Sequence, residues 1–149
     1  AQLLGAWSQH WGFAEPAVFL GYMAYSRGDL KAAWKSYGQA VEIGSSLLGL
    51  GEEYRALPEV KSALRASLAE ALNQRGVVSG KLGDPAAAEA DYRRSLAVRP
   101  SAQAHYNLAV LAWGRDWTLA ESELAEALRL DPGHVQAAQS LANLRARPR

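Results

Sequence analysis

The sequence contains no cysteine, almost no net charge and no long apolar run, and each absence excludes a class of protein. Without cysteine there is no disulfide scaffold, no thiolate metal site and no cysteine nucleophile. The 16 lysines and arginines nearly balance the 15 aspartates and glutamates, whereas nucleic-acid-binding domains usually carry a basic excess. No apolar run approaches the ~20 residues that a membrane helix needs. We therefore expect neither a nucleic-acid partner nor a membrane span.

The composition that remains is typical of a single folded domain. Apolar residues make up 49% of the 149 residues and charged residues 21%, which is enough to bury a continuous core. The chain starts at Ala1 without a methionine or a charged-then-apolar leader, so we expect an excised domain or a mature form. The compartment stays open, because a cysteine-free helical domain tolerates either redox environment.

Internal repeats are the most informative pattern in the chain. A glycine, a Gly-Asp pair, an alanine and a tyrosine recur in the same order 55 residues later. The first copy has Gly21, Gly28-Asp29, Ala33 and Tyr37, and the second has Gly76, Gly83-Asp84, Ala88 and Tyr92. A third copy lies a further 32 residues along the chain. In it Ala120, Leu124, Leu128 and Pro132 correspond to Ala88, Tyr92, Leu96 and Pro100. Three similar units in series predict a repeat architecture.

Each unit predicts two helices joined by the Gly-Asp turn. The aspartate accepts the free N–H groups of the second helix, and Pro85 suits a first helical position, where no N–H is needed. Pro100 and Pro132 then end second helices, because proline cannot continue the hydrogen-bond ladder. We expect no strand, and helices near residues 14–27, 29–50, 58–82, 85–98, 101–114, 117–130 and 133–146.

This spacing resembles the tetratricopeptide repeat, whose pattern W-x2-L-G-x2-Y, A-x3-F and P extends over about 34 residues. The matching residues are Leu20, Gly21, Gly28-Asp29, Ala33, Tyr37 and Ala40; Leu72, Gly76, Gly83-Asp84, Ala88, Tyr92 and Pro100; and Leu108, Ala109, Ala120, Leu124, Ala127 and Pro132. The second unit departs from the family at Arg75, where leucine is preferred, and at Ser79, where tyrosine is preferred. The first unit lacks the closing proline, and the third is short in the turn around Arg115-Asp116.

The resemblance implies an all-α fold in a single domain over residues 1–149. This fold is a right-handed superhelical solenoid of about three helix-turn-helix repeats and a C-terminal capping helix. Repeat 1 is expected over about residues 14–46, repeat 2 over about 69–100, repeat 3 over about 101–132 and the capping helix over about 133–146. Trp7 and Trp11 have helical spacing, so we expect residues 1–11 to form the second helix of an earlier repeat.

An insertion separates the first two repeats. The 55-residue offset exceeds the regular 34 by 21 residues, which is about six helical turns. If Pro58 starts the next helix, both helices lengthen by about three turns and keep their facing register. The sequence therefore predicts an extended helical hairpin over about residues 44–68. We expect its first arm to bend or fray near Gly49, because glycine costs about 1 kcal/mol within a helix.

Catalytic and metal-binding patterns are missing from the sequence. His10, His105 and His134 lie in separate segments without the spacing of a metal site. Gly49-Leu50-Gly51 follows no predicted strand, so it does not form a phosphate-binding loop. The glutamates at positions 52–53 and 121–126 fall on solvated helix faces. We expect no enzymatic activity, no cofactor and no metal.

The resemblance also implies that the first helices of the repeats line a concave groove that binds a peptide or a helical segment. The groove-facing positions are Val18, Tyr22, Tyr25, Asn73, Val77, Tyr106, Val110 and Trp113, with Gln139 and Asn143 on the last helix. Asn107 occupies a position where the family often places a ligand-contacting asparagine. This groove is apolar and aromatic, the usual composition of binding hot spots. Large aromatics at helical spacing are also common in cores, and that alternative stays open.

We therefore expect a scaffold or adaptor that binds a protein or peptide within a larger protein or assembly. A self-associating structural module and a regulatory domain of a larger multidomain protein are the alternatives. A carboxylate-clamp co-chaperone is not expected, because the matching inner positions hold no cationic pair. Those positions are Glu15, Phe19, Glu70, Gln74 and Gln103.

Overall fold

The computed structural model describes residues 15–148, and over that range the chain is helical without any strand. The helices are α1 (Glu15–Ser26), α2 (Leu30–Glu53), α3 (Pro58–Lys81), α4 (Pro85–Val98), α5 (Ala102–Ala112), α6 (Trp117–Leu130) and α7 (Val135–Arg145). The predicted all-α fold is confirmed, and the helices lie where the sequence periodicity placed them. The helix predicted over residues 1–11 lies outside the described residues.

The chain divides into two compact units, with the boundary between Arg99 and Pro100. In the first unit α1, α2, α3 and α4 pack in order, each on the next, and in the second unit α5, α6 and α7 do the same. The core of the first unit consists of two clusters, Ala17, Ala40, Val41, Leu68, Ala71 and Leu72, and Ala33, Tyr37 and Val78. The core of the second unit is Ala109, Leu124, Ala127, Ala137 and Leu141. The repeat boundaries and the superhelical form stay predictions.

The Gly-Asp turns form as the sequence predicts. Gly28 and Gly83 have φ values of +79° and +87°, a region that side-chain-bearing residues rarely adopt. The next residue in each turn caps the following helix: the Asp29 carboxylate accepts the Ala32 N–H at 3.0 Å, and Asp84 caps α4 in the same way. The chain therefore reverses at a glycine and restarts its helix at an aspartate.

Glycines facing tyrosine rings set the distance between paired helices in the first unit. A Cβ on Gly21 of α1 would lie 2.6 Å from Tyr37 Cε1 of α2. A Cβ on Gly76 of α3 would lie at the same 2.6 Å from Tyr92 Cε1 of α4. Both rings are buried, and burial raises the pKa of Tyr92 to about 12. Only glycine leaves room for these rings against the helix backbone.

The two longest helices form the predicted hairpin. Both α2 and α3 have 24 residues, which corresponds to about 36 Å of helix. The two helices are in contact at Gly44, where an added Cβ would lie 3.4 Å from Leu68 Cβ. α2 does not fray near Gly49 as one form of the prediction had it, since the helix continues to Glu53, and the bend near Gly49 stays a prediction. Packing along the hairpin offsets the low helix propensity of its glycines.

Candidate protein-binding surfaces

Five of the predicted groove residues lie in the first unit and form what we call the α1–α3 face: Val18, Tyr22 and Tyr25 on α1, and Asn73 and Val77 on α3. The two helices contact each other. Tyr22 is the most exposed member at 61%, whereas Val18 and Tyr25 are half-buried against the core cluster that contains Tyr37. The face therefore presents one exposed aromatic ring, Tyr22, on a helix that packs against the core through Val18 and Tyr25.

The buried side chain of Tyr37 on α2 packs against residues of both helices of this face, Val18 and Tyr25 on α1 and Val78 on α3. Burial raises the pKa of Tyr37, and Glu70, Tyr25 and Tyr22 raise it further through their charges.

The remaining members of the α1–α3 face contribute unequally. Asn73 is only 8% exposed, and Val77 is half-buried, so α3 offers little side-chain surface at these two positions. Lys81, at the end of α3, places Nζ 5.6 Å from the centre of the Tyr25 ring. The face therefore combines aromatic surface with one carboxylate, Glu70, and one ammonium group.

An exposed indole that the sequence analysis did not select lies on α2. Trp34 is 45% exposed, and its Nε1 donates a hydrogen bond to Ser79 Oγ of α3 at 3.2 Å. Ser79 is one of the two departures from the family pattern. The smaller serine at this position accepts the indole N–H. The serine at position 79 was the one feature of the sequence that pointed to this hydrogen bond, because Trp34 and Ser79 are 45 residues apart.

The other departure, Arg75, also has a partner on the next helix. Its Nε and one terminal nitrogen donate to the two carboxylate oxygens of Asp91 at 2.8 and 2.7 Å. The side chains of this pair are only 20% and 10% exposed. A bidentate, largely buried ion pair therefore joins α3 to α4 where the family places an apolar leucine.

Four more of the predicted groove residues lie in the second unit and form what we call the α5 face: Tyr106, Asn107, Val110 and Trp113. Val110 is 53% exposed and Trp113 39%. Tyr106 is half-buried, packs against the core of the unit and has its ring centre 5.2 Å from that of His134. Trp113 follows the last residue of α5 and packs edge-on against Trp117 at 5.4 Å. The C-terminal end of α5, with Val110 and Trp113, is therefore the accessible part of this face.

Two histidines of the second unit have structural partners. His105 Nδ1 lies 2.5 Å from Glu123 Oε2, and both side chains are largely buried. His134 accepts the Ala137 N–H at 3.1 Å and so caps α7. Over residues 15–148 no group of three or more histidine, aspartate or glutamate side chains has the arrangement of a metal site. In the same range no helix combines the length and apolarity of a membrane crossing.

Comparison with known proteins identifies one segment of the chain. Residues 69–101, which comprise the second half of α3, the Gly83-Asp84 turn and α4, match the family model described as tetratricopeptide repeat. No match was found among proteins with curated descriptions. The matched segment contains the Gly76–Tyr92 contact, and the first unit repeats that contact at Gly21 and Tyr37. Residues 69–101 therefore resemble one tetratricopeptide repeat, which supports the predicted repeat architecture.

Proposed function

We propose that this chain is a scaffold or adaptor that binds segments of other proteins at two surfaces, the α1–α3 face of the first unit and the α5 face of the second. Tetratricopeptide repeats are generally protein-interaction scaffolds and are typically non-enzymatic. In such repeats the first helix of each pair presents side chains to a partner. In this chain α1, α3 and α5 carry the exposed apolar residues of both faces. The binding is non-covalent and involves no cofactor.

The exposure of Tyr22 is the observation that carries the proposal. A tyrosine offers a large contact area with few rotatable bonds, so little conformational entropy is lost when a partner covers it. The backbone beneath Tyr22 is fixed, because Gly21 packs directly on the buried Tyr37 ring. Such a fixed, exposed aromatic is an anchor for an apolar side chain of the partner.

The charges around this anchor indicate how binding depends on salt. Glu70 and Lys81 are opposite in sign, and the net charge of the whole chain is +1. Apolar contact and not charge attraction therefore supplies most of the binding free energy. We expect the affinity to change only modestly between low and high salt.

Peptides that bind can be obtained by selecting a random peptide library, displayed on phage, against the immobilised chain. The dissociation constant of a selected peptide is then measured for the wild type and for Tyr22→Ala. Loss of a buried aromatic anchor typically costs about 2 kcal/mol, so we expect the affinity to fall about tenfold or more. Circular dichroism should show unchanged helix content.

Tyr54→Ala is the matched control for this experiment. Tyr54 is 75% exposed, follows the last residue of α2 and lies outside both faces. We expect this variant to bind the selected peptide like the wild type. Equal losses in the two variants would contradict the proposal, and a loss confined to Tyr54→Ala would assign binding to the hairpin.

The α5 face has its own pair of variants. Val110→Asp places a charge on the exposed part of the face, whereas Val135→Asp makes the same change at a 65% exposed position on α7. Only the first is expected to weaken a peptide that binds this face. Light scattering on the isolated chain tests the alternative of self-association. A dimer that Tyr22→Ala or Val110→Asp converts to a monomer would favour that alternative.

A further inference from the structure

A cleft of about 510 Å³ lies in the second unit, between α6 and the end of α7. Its walls come from the first two turns of α6 and from the end of α7 with the residues that follow it. The lining residues used below are Trp117, Thr118, Glu121, Leu144, Arg145 and Arg147. None of them belongs to the α5 face, although Trp117 contacts Trp113 of that face.

The guanidinium group of Arg147 lies over the indole of Trp117. Its central carbon is 3.4 Å from the ring centre. Trp117 also contacts the edge of Trp113. A guanidinium stacked in this way uses its flat face, so its N–H donors at the edge stay available for a carboxylate. The indole thus holds a cation at the cleft without consuming its hydrogen-bonding capacity.

The charges that line the cleft do not balance. Arg145 Nε donates to Glu121 Oε1 at 3.0 Å, so the one lining carboxylate already has a cationic partner. Arg147 has no carboxylate within ion-pair distance anywhere in the described part of the chain. Nearby Asp116 is not a lining residue, and its carboxylate caps α6 through the Leu119 N–H. The cleft therefore has one positive charge in excess.

We infer that this cleft binds an acidic segment of a partner protein, with an aspartate or glutamate side chain pairing with Arg147. A planar guanidinium matches a carboxylate through two parallel hydrogen bonds. Leu144 and the uncovered part of Trp117 supply apolar surface for the residue next to that carboxylate. The site does not use the α1–α3 face. Binding here should weaken clearly as the salt concentration rises, since charge attraction drives it.

The probe for this site is a capped, fluorescein-labelled peptide of glutamates around a single leucine. The same peptide with lysine in place of glutamate is its counterpart. Fluorescence anisotropy at low salt should show binding of the glutamate peptide and none of the lysine peptide. Arg147→Gln should weaken the glutamate peptide about fivefold or more, and Arg147→Lys, which keeps the charge but not the planar fork, should weaken it less.

Arg129→Gln is the matched control, because it removes the same charge from the same unit outside the cleft. Arg129 is on α6 and pairs with Glu126 on the exposed surface. We expect it to change the affinity for the glutamate peptide less than about twofold. Equal losses for Arg147→Gln and Arg129→Gln would overturn the inference, because the peptide would then respond to net charge alone. Failure of the wild type to bind the glutamate peptide, or equal binding of the lysine peptide, would overturn it as well.

Discussion

The two units use different residues where their paired helices contact each other. In the first unit a glycine faces a tyrosine ring, at Gly76 and Tyr92, whereas the corresponding residues of the second unit are Ala109 and Leu124, which share one core cluster. A methyl group fits against leucine, but it would collide with the edge of a ring. The size of the first-helix residue therefore depends on the residue that it meets.

The same comparison holds for the polar contact between first and second helices. The residue before Tyr92 is Asp91, which pairs with Arg75, and the residue before Leu124 is Glu123, which pairs with His105. A carboxylate of the second helix thus meets a basic side chain of the first helix in each unit. In the first unit that basic side chain replaces the leucine that the second unit keeps as Leu108, which is 3% exposed.

The largest effect is expected from Arg75→Leu, which gives the first unit the family's usual residue. The change leaves the buried Asp91 carboxylate without its partner, and we expect the free energy of unfolding to fall by about 2–4 kcal/mol. Chemical denaturation measures this fall. Arg75→Leu combined with Asp91→Ala should recover much of the loss. A double variant as unstable as Arg75→Leu would mean that shape and not charge is responsible.

Alkaline pH should destabilise the unit that contains Tyr92. Its pKa is about 12 in the folded chain, above the ordinary value of 10. Below pH 10 the phenol is protonated in both states and adds no pH dependence. Between pH 10 and about 12 the unfolded chain loses this proton first, so the free energy of unfolding falls, by up to about 2 kcal/mol. Denaturation of Tyr92→Phe over the same pH range should show a smaller fall, and an equal fall would exclude this tyrosine as the cause.

Gly76→Ala tests the glycine–ring contact directly. The new Cβ would lie 2.6 Å from Tyr92 Cε1 and 3.2 Å from the Ala88 carbonyl oxygen. We expect a loss of about 1–2 kcal/mol, because the collision exceeds the gain in helix propensity. Gly49→Ala is the control, since its Cβ would meet nothing within 4 Å, and it should stabilise the chain by up to about 1 kcal/mol. If both variants gain stability, the helices are farther apart than described.

The smallest effect is the coupling between the two members of this contact. Gly76→Ala with Tyr92→Leu transfers the pair of the second unit into the first. We expect the double variant to be about 1 kcal/mol more stable than the sum of the single effects. Thermal and chemical denaturation of the four proteins give this coupling energy. Additive effects would show that Gly76 and Tyr92 do not constrain each other.

The sequence predicts the helices well because their signals are local. Gly28, Asp29 and Pro85 stand within a few residues of the ends that they define, and the hairpin follows from a whole number of turns in the insertion. Gly49 misled the prediction, since propensity alone does not include the packing of α2 on α3. Gly21 and Gly76 drew attention because they recur in the repeat pattern.

The side-chain partners could not be predicted in the same way. Trp34 meets Ser79 across two helices, and Arg147 reaches Trp117 from beyond the end of α7. Such contacts depend on rotamers and on the distance between helices, and neither has a period in the sequence. Tyr106 was predicted to face the groove, yet its ring also contacts the tilted ring of His134. Helical spacing alone does not distinguish a ring that faces the groove from one that packs against its own unit.

The central claim, that the α1–α3 face and the α5 face bind a protein segment, is tested most directly by NMR. Backbone amide shifts of the chain are recorded as a selected, unlabelled peptide is added. The account predicts that the largest changes cluster around Tyr22 and Tyr25 of α1 and Val77 of α3, or around Val110 of α5. Changes confined to the turn between α2 and α3, or to α4 and α6, would contradict it.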